Sequence, residues 1–148
     1  LIKYDGYYVT FQEVPNEISL VFTVTNCIHN CLNCHSPWLK ENIGKNLETD
    51  FNDILIKYEN MITCVCFMGE GNDSYALINL IKDCKYKTAL YTGIDELSSW
   101  MLNFDYIKIG HYEENLGALD SPTTNQRFFR NVNGELENIT DAFIKTKR

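Results

Sequence analysis

The chain has 148 residues, 45% of them hydrophobic and 22% charged, with a formal net charge of −7. That length supports one domain with a real core and excludes a closed eight-fold β/α barrel, which takes ~250 residues. The acidic balance argues against nucleic acid as a partner, since phosphate binding rests on Lys/Arg stripes, and no apolar run reaches the ~20 residues of a membrane helix.

No repeat, low-complexity stretch or linker divides the sequence, so a single domain over residues 1–148 is expected. Residues 7–14 and 17–24 are β-rich and flank the turn pair Pro15-Asn16. The second of these strands runs into a cysteine-rich segment. Residues 50–58 then carry Phe51, Ile54, Leu55 and Tyr58 at helical spacing, capped by Thr49 or Asp50. Residues 62–68 form a continuous apolar run, the mark of a strand buried on both faces. Asn72 or Asp73 caps the next helix, whose apolar side is Leu77, Leu80 and Ile81. A strand over 88–92, a short helix near 96–102 and a strand over 105–109 follow. This alternation predicts an α/β fold, a partial and open β/α barrel of mainly parallel strands. Residues 125–132 and 135–137 flank Asn133-Gly134, which suits a type I′ turn, so a C-terminal β-hairpin is expected to decorate the sheet.

Cys27, Cys31 and Cys34 fall in the spacing C-x3-C-x2-C. A loop can wrap three thiolates around a single inorganic centre where a strand or helix cannot. A closed structural zinc site needs four ligands, and a conventional iron–sulfur cluster takes four cysteines. Three ligands and a vacancy point to a four-iron cluster with one iron open, while zinc stays open as a reading if His29, His35 or Cys64 supplies a fourth ligand. Cys64 and Cys66 share one face of a buried strand and Cys84 falls late in a helix, where cysteines act as small hydrophobes. With no secretory signal evident and six cysteines too sparse for a disulfide scaffold, a reducing cytoplasm is the expected compartment.

Ligands of parallel α/β folds sit at the carboxyl ends of the strands. That placement gathers the cysteine segment, Gly69-Glu70-Gly71, Tyr91-Thr92-Gly93 and Gly110-His111 on one rim. Gly69 and Gly71 let the backbone approach a ligand closely, and Glu70 offers a carboxylate to an ammonium group. The same three residues also suit a plain turn. Thr92 can donate a hydroxyl and Gly93 can admit close approach, or both can be ordinary strand-end residues.

The cysteine spacing, directly after a strand, resembles the signature of radical S-adenosylmethionine (SAM) enzymes. Cys34-His-Ser-Pro-Trp38 is similar to the small activating enzymes of glycyl-radical proteins, above all those of the anaerobic ribonucleoside-triphosphate reductase. Ser121-Pro-Thr-Thr-Asn125-Gln126-Arg127 resembles a Ser-x-Asn-Gln-Arg segment late in those activators, so the likeness runs from about residue 18 to residue 129.

The resemblance implies a [4Fe–4S] cluster on Cys27, Cys31 and Cys34, its fourth iron chelated by the amino and carboxylate groups of SAM. It sets Gly69-Glu70-Gly71 in the place of a Gly-Gly-Glu-Pro motif that binds the SAM amino group, with Met68 and Gly71 replacing the first Gly and the Pro. Thr92 and Gly93 fall beside SAM by the same comparison. Asn33 stands where many relatives carry an aromatic residue, and Ile109 where many carry an acid. The implied activity is that of an activase. An electron donor such as a flavodoxin reduces the cluster, SAM is cleaved, and the resulting radical takes hydrogen from a glycine of the reductase. Two rival readings remain: a small radical SAM enzyme with another glycyl-radical partner or a small-molecule substrate, and a non-enzymatic zinc or iron–sulfur module.

Overall fold

The computed structural model describes residues 2–25 and 43–145. Strand β1 (Lys3–Thr10) pairs antiparallel with β2 (Ser19–Val24), and Asn16, at φ 66°, turns the connection. The two-residue strand β3 (Lys45–Asn46) lies antiparallel on the outer side of β1 and leads into helix α1 (Leu47–Lys57). Asn46 caps α1, its Oδ1 accepting from the Thr49 N–H at 3.2 Å, while Glu48 and Asp50 at the start and Lys57 at the end complement the helix dipole.

Strand β4 (Cys64–Met68) follows, then helix α2 (Ser74–Ile81), where Asp73 accepts from the Ala76 N–H at 3.0 Å. Strand β5 (Lys87–Tyr91), a 3-10 turn over Ser99–Asn103 and β6 (Tyr106–Ile109) complete the centre. Strands β7 (Arg127–Val132) and β8 (Glu135–Asn138) precede the short helix α3 (Asp141–Lys145).

All eight strands form one sheet in the order β3-β1-β2-β4-β5-β6-β7-β8. The expected partial barrel of mainly parallel strands is overturned. Only β2, β4, β5 and β6 run parallel, whereas four of the seven pairings are antiparallel, and the described residues form just three short α-helices. The alternation of strand and helix holds for the centre but not for the flanks. There, β1–β2 and β7–β8 are antiparallel neighbours in sequence, and β3 and β7 return antiparallel beside β1 and β6. The hairpin β7–β8 does not decorate the sheet; β7 pairs directly with β6 and extends it. Among the described residues no helix is long and apolar enough to cross a membrane.

The two faces of the sheet differ. Leu20, Phe22 and Val24 of β2, Val65 and Phe67 of β4, Leu90 of β5 and Ile107 of β6 point to the face covered by α1 and α2. Phe22 stacks on Phe67 at 5.9 Å with Phe51 of α1 against both, so aromatic packing fixes that layer. The alternate residues Val21, Cys64, Cys66, Ala89, Tyr106 and Phe128 form a second cluster with Val14, Leu119 and Phe143. There Cys64 and Cys66 are fully buried. Burial pushes the Cys64 thiol up to about 12 and the Cys66 thiol well above its ordinary value, so both stay protonated.

Candidate cofactor site at the carboxyl rim

Register builds the rim. Thr23, Met68, Tyr91 and Lys108 occupy one row across β2, β4, β5 and β6, so the four parallel strands end side by side. Backbone bonds beyond that row lock the ends together: Gly69 N–H to Tyr91 O at 2.7 Å, Thr92 N–H to Lys108 O at 2.9 Å, and Gly110 N–H to Ile94 O at 2.7 Å. The Lys108 ammonium adds bonds to Thr92 O at 3.1 Å and Gly110 O at 2.8 Å.

The Glu70 loop packs on the end of β2. Gly71 has φ +65°, and a Cβ there would lie 3.1 Å from Val24 Cγ1 and 3.2 Å from Thr25 O, so glycine allows the approach. Thr25 is the last described residue before the cysteine segment. Its hydroxyl donates to Ile43 O at 2.5 Å, which ties together the two residues bracketing positions 26–42. Cys27, Cys31, Cys34 and Asn33 lie outside the described residues, as does the Cys34–Trp38 stretch.

Glu70 and Thr92 follow the ends of the neighbouring strands β4 and β5. Glu70 is only 4% exposed and Thr92 only 2%, each one or two residues past its strand end. The Thr92 hydroxyl accepts from the Ile94 N–H at 3.1 Å and fixes the turn through Gly93. Asn125 and Gln126 prove to be rim braces. Asn125 Nδ2 donates to His111 O at 3.1 Å, and Gln126 Nε2 to Gly110 O at 3.3 Å. Asn125 Oδ1 is buried without a hydrogen bond among the described residues. The rim thus offers a buried carboxylate, a buried hydroxyl and a buried amide oxygen, acceptors that fit the ammonium and amine groups of a SAM-like ligand. Cys64, Cys66 and Cys84 are free thiols, and no cluster of three or more His, Cys, Asp or Glu suited to a metal occurs among the described residues.

The sequence places His111 on this rim but does not show what its ring contacts. His111 follows β6 and lies between two carboxylates, its Nδ1 at 2.6 Å from Asp95 and its Nε2 at 2.6 Å from Glu113. Gly110-His111 is visible as a strand end, but nothing in the sequence pairs it with Asp95 on the turn after β5. No family model, curated protein or solved structure matches this chain.

Proposed function

We propose that this chain is a radical SAM activase that generates a glycyl radical on a partner of the anaerobic ribonucleoside-triphosphate reductase class. The observation that carries the reading is a juxtaposition. The C-x3-C-x2-C segment begins two residues beyond Thr25, and the Gly69–Gly71 loop packs against that same strand end. Cys27, Cys31 and Cys34 would hold a [4Fe–4S] cluster, which would supply the one-electron chemistry for reductive cleavage of SAM. The protein's part is to hold and orient. Glu70 receives the SAM ammonium, Thr92 and Gly93 border the ligand, and the braced strand ends keep that geometry fixed. A low-potential donor such as a flavodoxin would reduce the centre, and the reductase would present its glycine at the rim.

Anaerobic reconstitution with iron and sulfide tests this directly. Reduced protein with SAM should yield 5′-deoxyadenosine and, with a reductase carrying a glycyl-radical loop, a glycyl EPR doublet. Cys27→Ala, Cys31→Ala and Cys34→Ala should each abolish both. Tight zinc binding with no SAM cleavage by the reconstituted protein would overturn the proposal.

A further inference from the structure

We propose that His111 is a proton-operated clasp at the rim, holding the turn after β5 to the turn after β6 and releasing its Glu113 arm when the ring loses a proton. The proposal stands apart from the SAM reading. Its basis is the pair of 2.6 Å contacts from the two ring nitrogens to carboxylates on different turns. Only an imidazolium donates from both nitrogens; a neutral ring has one N–H and turns a lone pair toward the other carboxylate.

The two arms are not equal. Asp95 Oδ1 also accepts from the His111 backbone N–H at 3.0 Å, and Lys108 adds a favourable charge beside it. Among the described residues the Glu113 carboxylate is tied through the ring alone. The base of the clasp stays put, because Asn125 and Gln126 hold the His111 and Gly110 carbonyls and Gly110 N–H is bonded to Ile94 O. On deprotonation the remaining proton therefore stays on Nδ1 with Asp95, and Glu113 is repelled.

The charged groups facing the ring are Asp95 and Glu113, with Lys108 behind Asp95 and Glu114 next in sequence. Hydrogen bonds to Asp95, then to Glu113, raise the His111 pKa above its ordinary value against the opposing effect of burial. The clasp is closed below the ordinary histidine value of ~6.5 and opens as pH rises through the higher folded-state value. Asp95 and Glu113 are 59% and 47% exposed, so added salt weakens the clasp.

NMR of the full chain from about pH 5 to 9 tests the idea. The readouts are the ring nitrogen shifts and the exchange of the Leu116 and Gly117 amides, which donate to Glu113 O at 3.0 and 2.9 Å. The ring should titrate above ~6.5. Amide protection, corrected for base catalysis, should fall at least ~5-fold over the same titration, the lower end of a coupling between sites. Glu113→Gln should lower the ring's midpoint and remove the step, and His111→Gln should give pH-independent protection. A ring titrating at or below ~6.5, or an unchanged protection step in His111→Gln, would overturn the clasp.

Discussion

Gly110→Ala is the sharpest test of how tightly the rim is built. Gly110 has φ +104°, and an added Cβ would sit 3.0 Å from Gln126 Cα, 3.3 Å from Gln126 Cγ and 3.4 Å from Asn125 O. Two costs combine. Holding a non-glycine residue in a sparsely populated backbone conformation costs about 1–3 kcal/mol. Forcing a methyl group against backbone, which cannot rotate aside as a side chain can, costs a further ~1–3 kcal/mol. Gly134 separates the two, because it has φ +89° and nothing within 4 Å of an added Cβ. Gly134→Ala therefore incurs the conformational cost alone. The difference between the variants, about 1–3 kcal/mol, measures the contact between the end of β6 and the start of β7. Urea unfolding reads it from the midpoints, provided the m-value stays constant. Equal destabilisation by the two substitutions, or a Gly110→Ala protein within ~0.5 kcal/mol of wild type, would refute the reasoning.

Glu70→Gln should keep the reconstituted cluster but weaken SAM binding by roughly 1.5–3 kcal/mol, the range for hydrogen bonds to charged groups; an unchanged SAM titration of the EPR signal would remove Glu70 from the site. Cys64→Ala and Cys66→Ala should retain the brown ~400 nm absorbance of a thiolate-bound cluster, since both thiols are buried and protonated in the sheet; loss of colour in Cys64→Ala would make Cys64 a ligand. Burial works against ionisation of Glu17, but bonds from Thr63 at 2.7 Å, Tyr106 at 2.6 Å and Lys87 at 3.2 Å outweigh it and hold the carboxyl below its ordinary value. Its contribution to stability is complete above pH 4.5, the ordinary carboxyl value, and is lost as pH falls through the lower folded-state value. Glu17→Gln should flatten that part of an acid-unfolding curve, and an unaltered curve would show that Glu17 is not one of its determinants.

The parts of the fold that could be read from sequence are those with a local cause. Asn133-Gly134 announces its hairpin because both residues take positive φ, 54° and 89°. The continuous apolar run before Gly69 marks a strand with helices on one face and a second cluster on the other. Helix α1 begins earlier than its apolar spacing implies, because Asn46 rather than Thr49 or Asp50 caps it and Leu47 is already buried. Strand direction left no comparable trace. Nothing in the composition of β1 or β7 distinguishes a parallel from an antiparallel neighbour, and the count of parallel pairs was overestimated accordingly.

The candidate site divides the same way. Glu70 and Thr92 were legible because strand ends collect in any parallel centre. The bracing by Asn125 and Gln126 was not, because their amides reach carbonyls 14 and 16 residues away. The His111 contact to Asp95, also 16 residues away, is hidden for the same reason.

The strand order carries a consequence for assembly on the ribosome. From β5 to β8 each strand lies beside the one made just before it, and β4 pairs with β2, which is already made. Growth can therefore proceed vectorially, with every new strand finding its template already in place. The two-residue β3 goes instead to the far edge of β1, so β4 must skip it to reach β2. The bracket between Thr25 and Ile43 is synthesised before either Glu70 or Thr92. The cysteine segment thus emerges first, and the strand ends that carry Glu70 and Thr92 arrive afterwards.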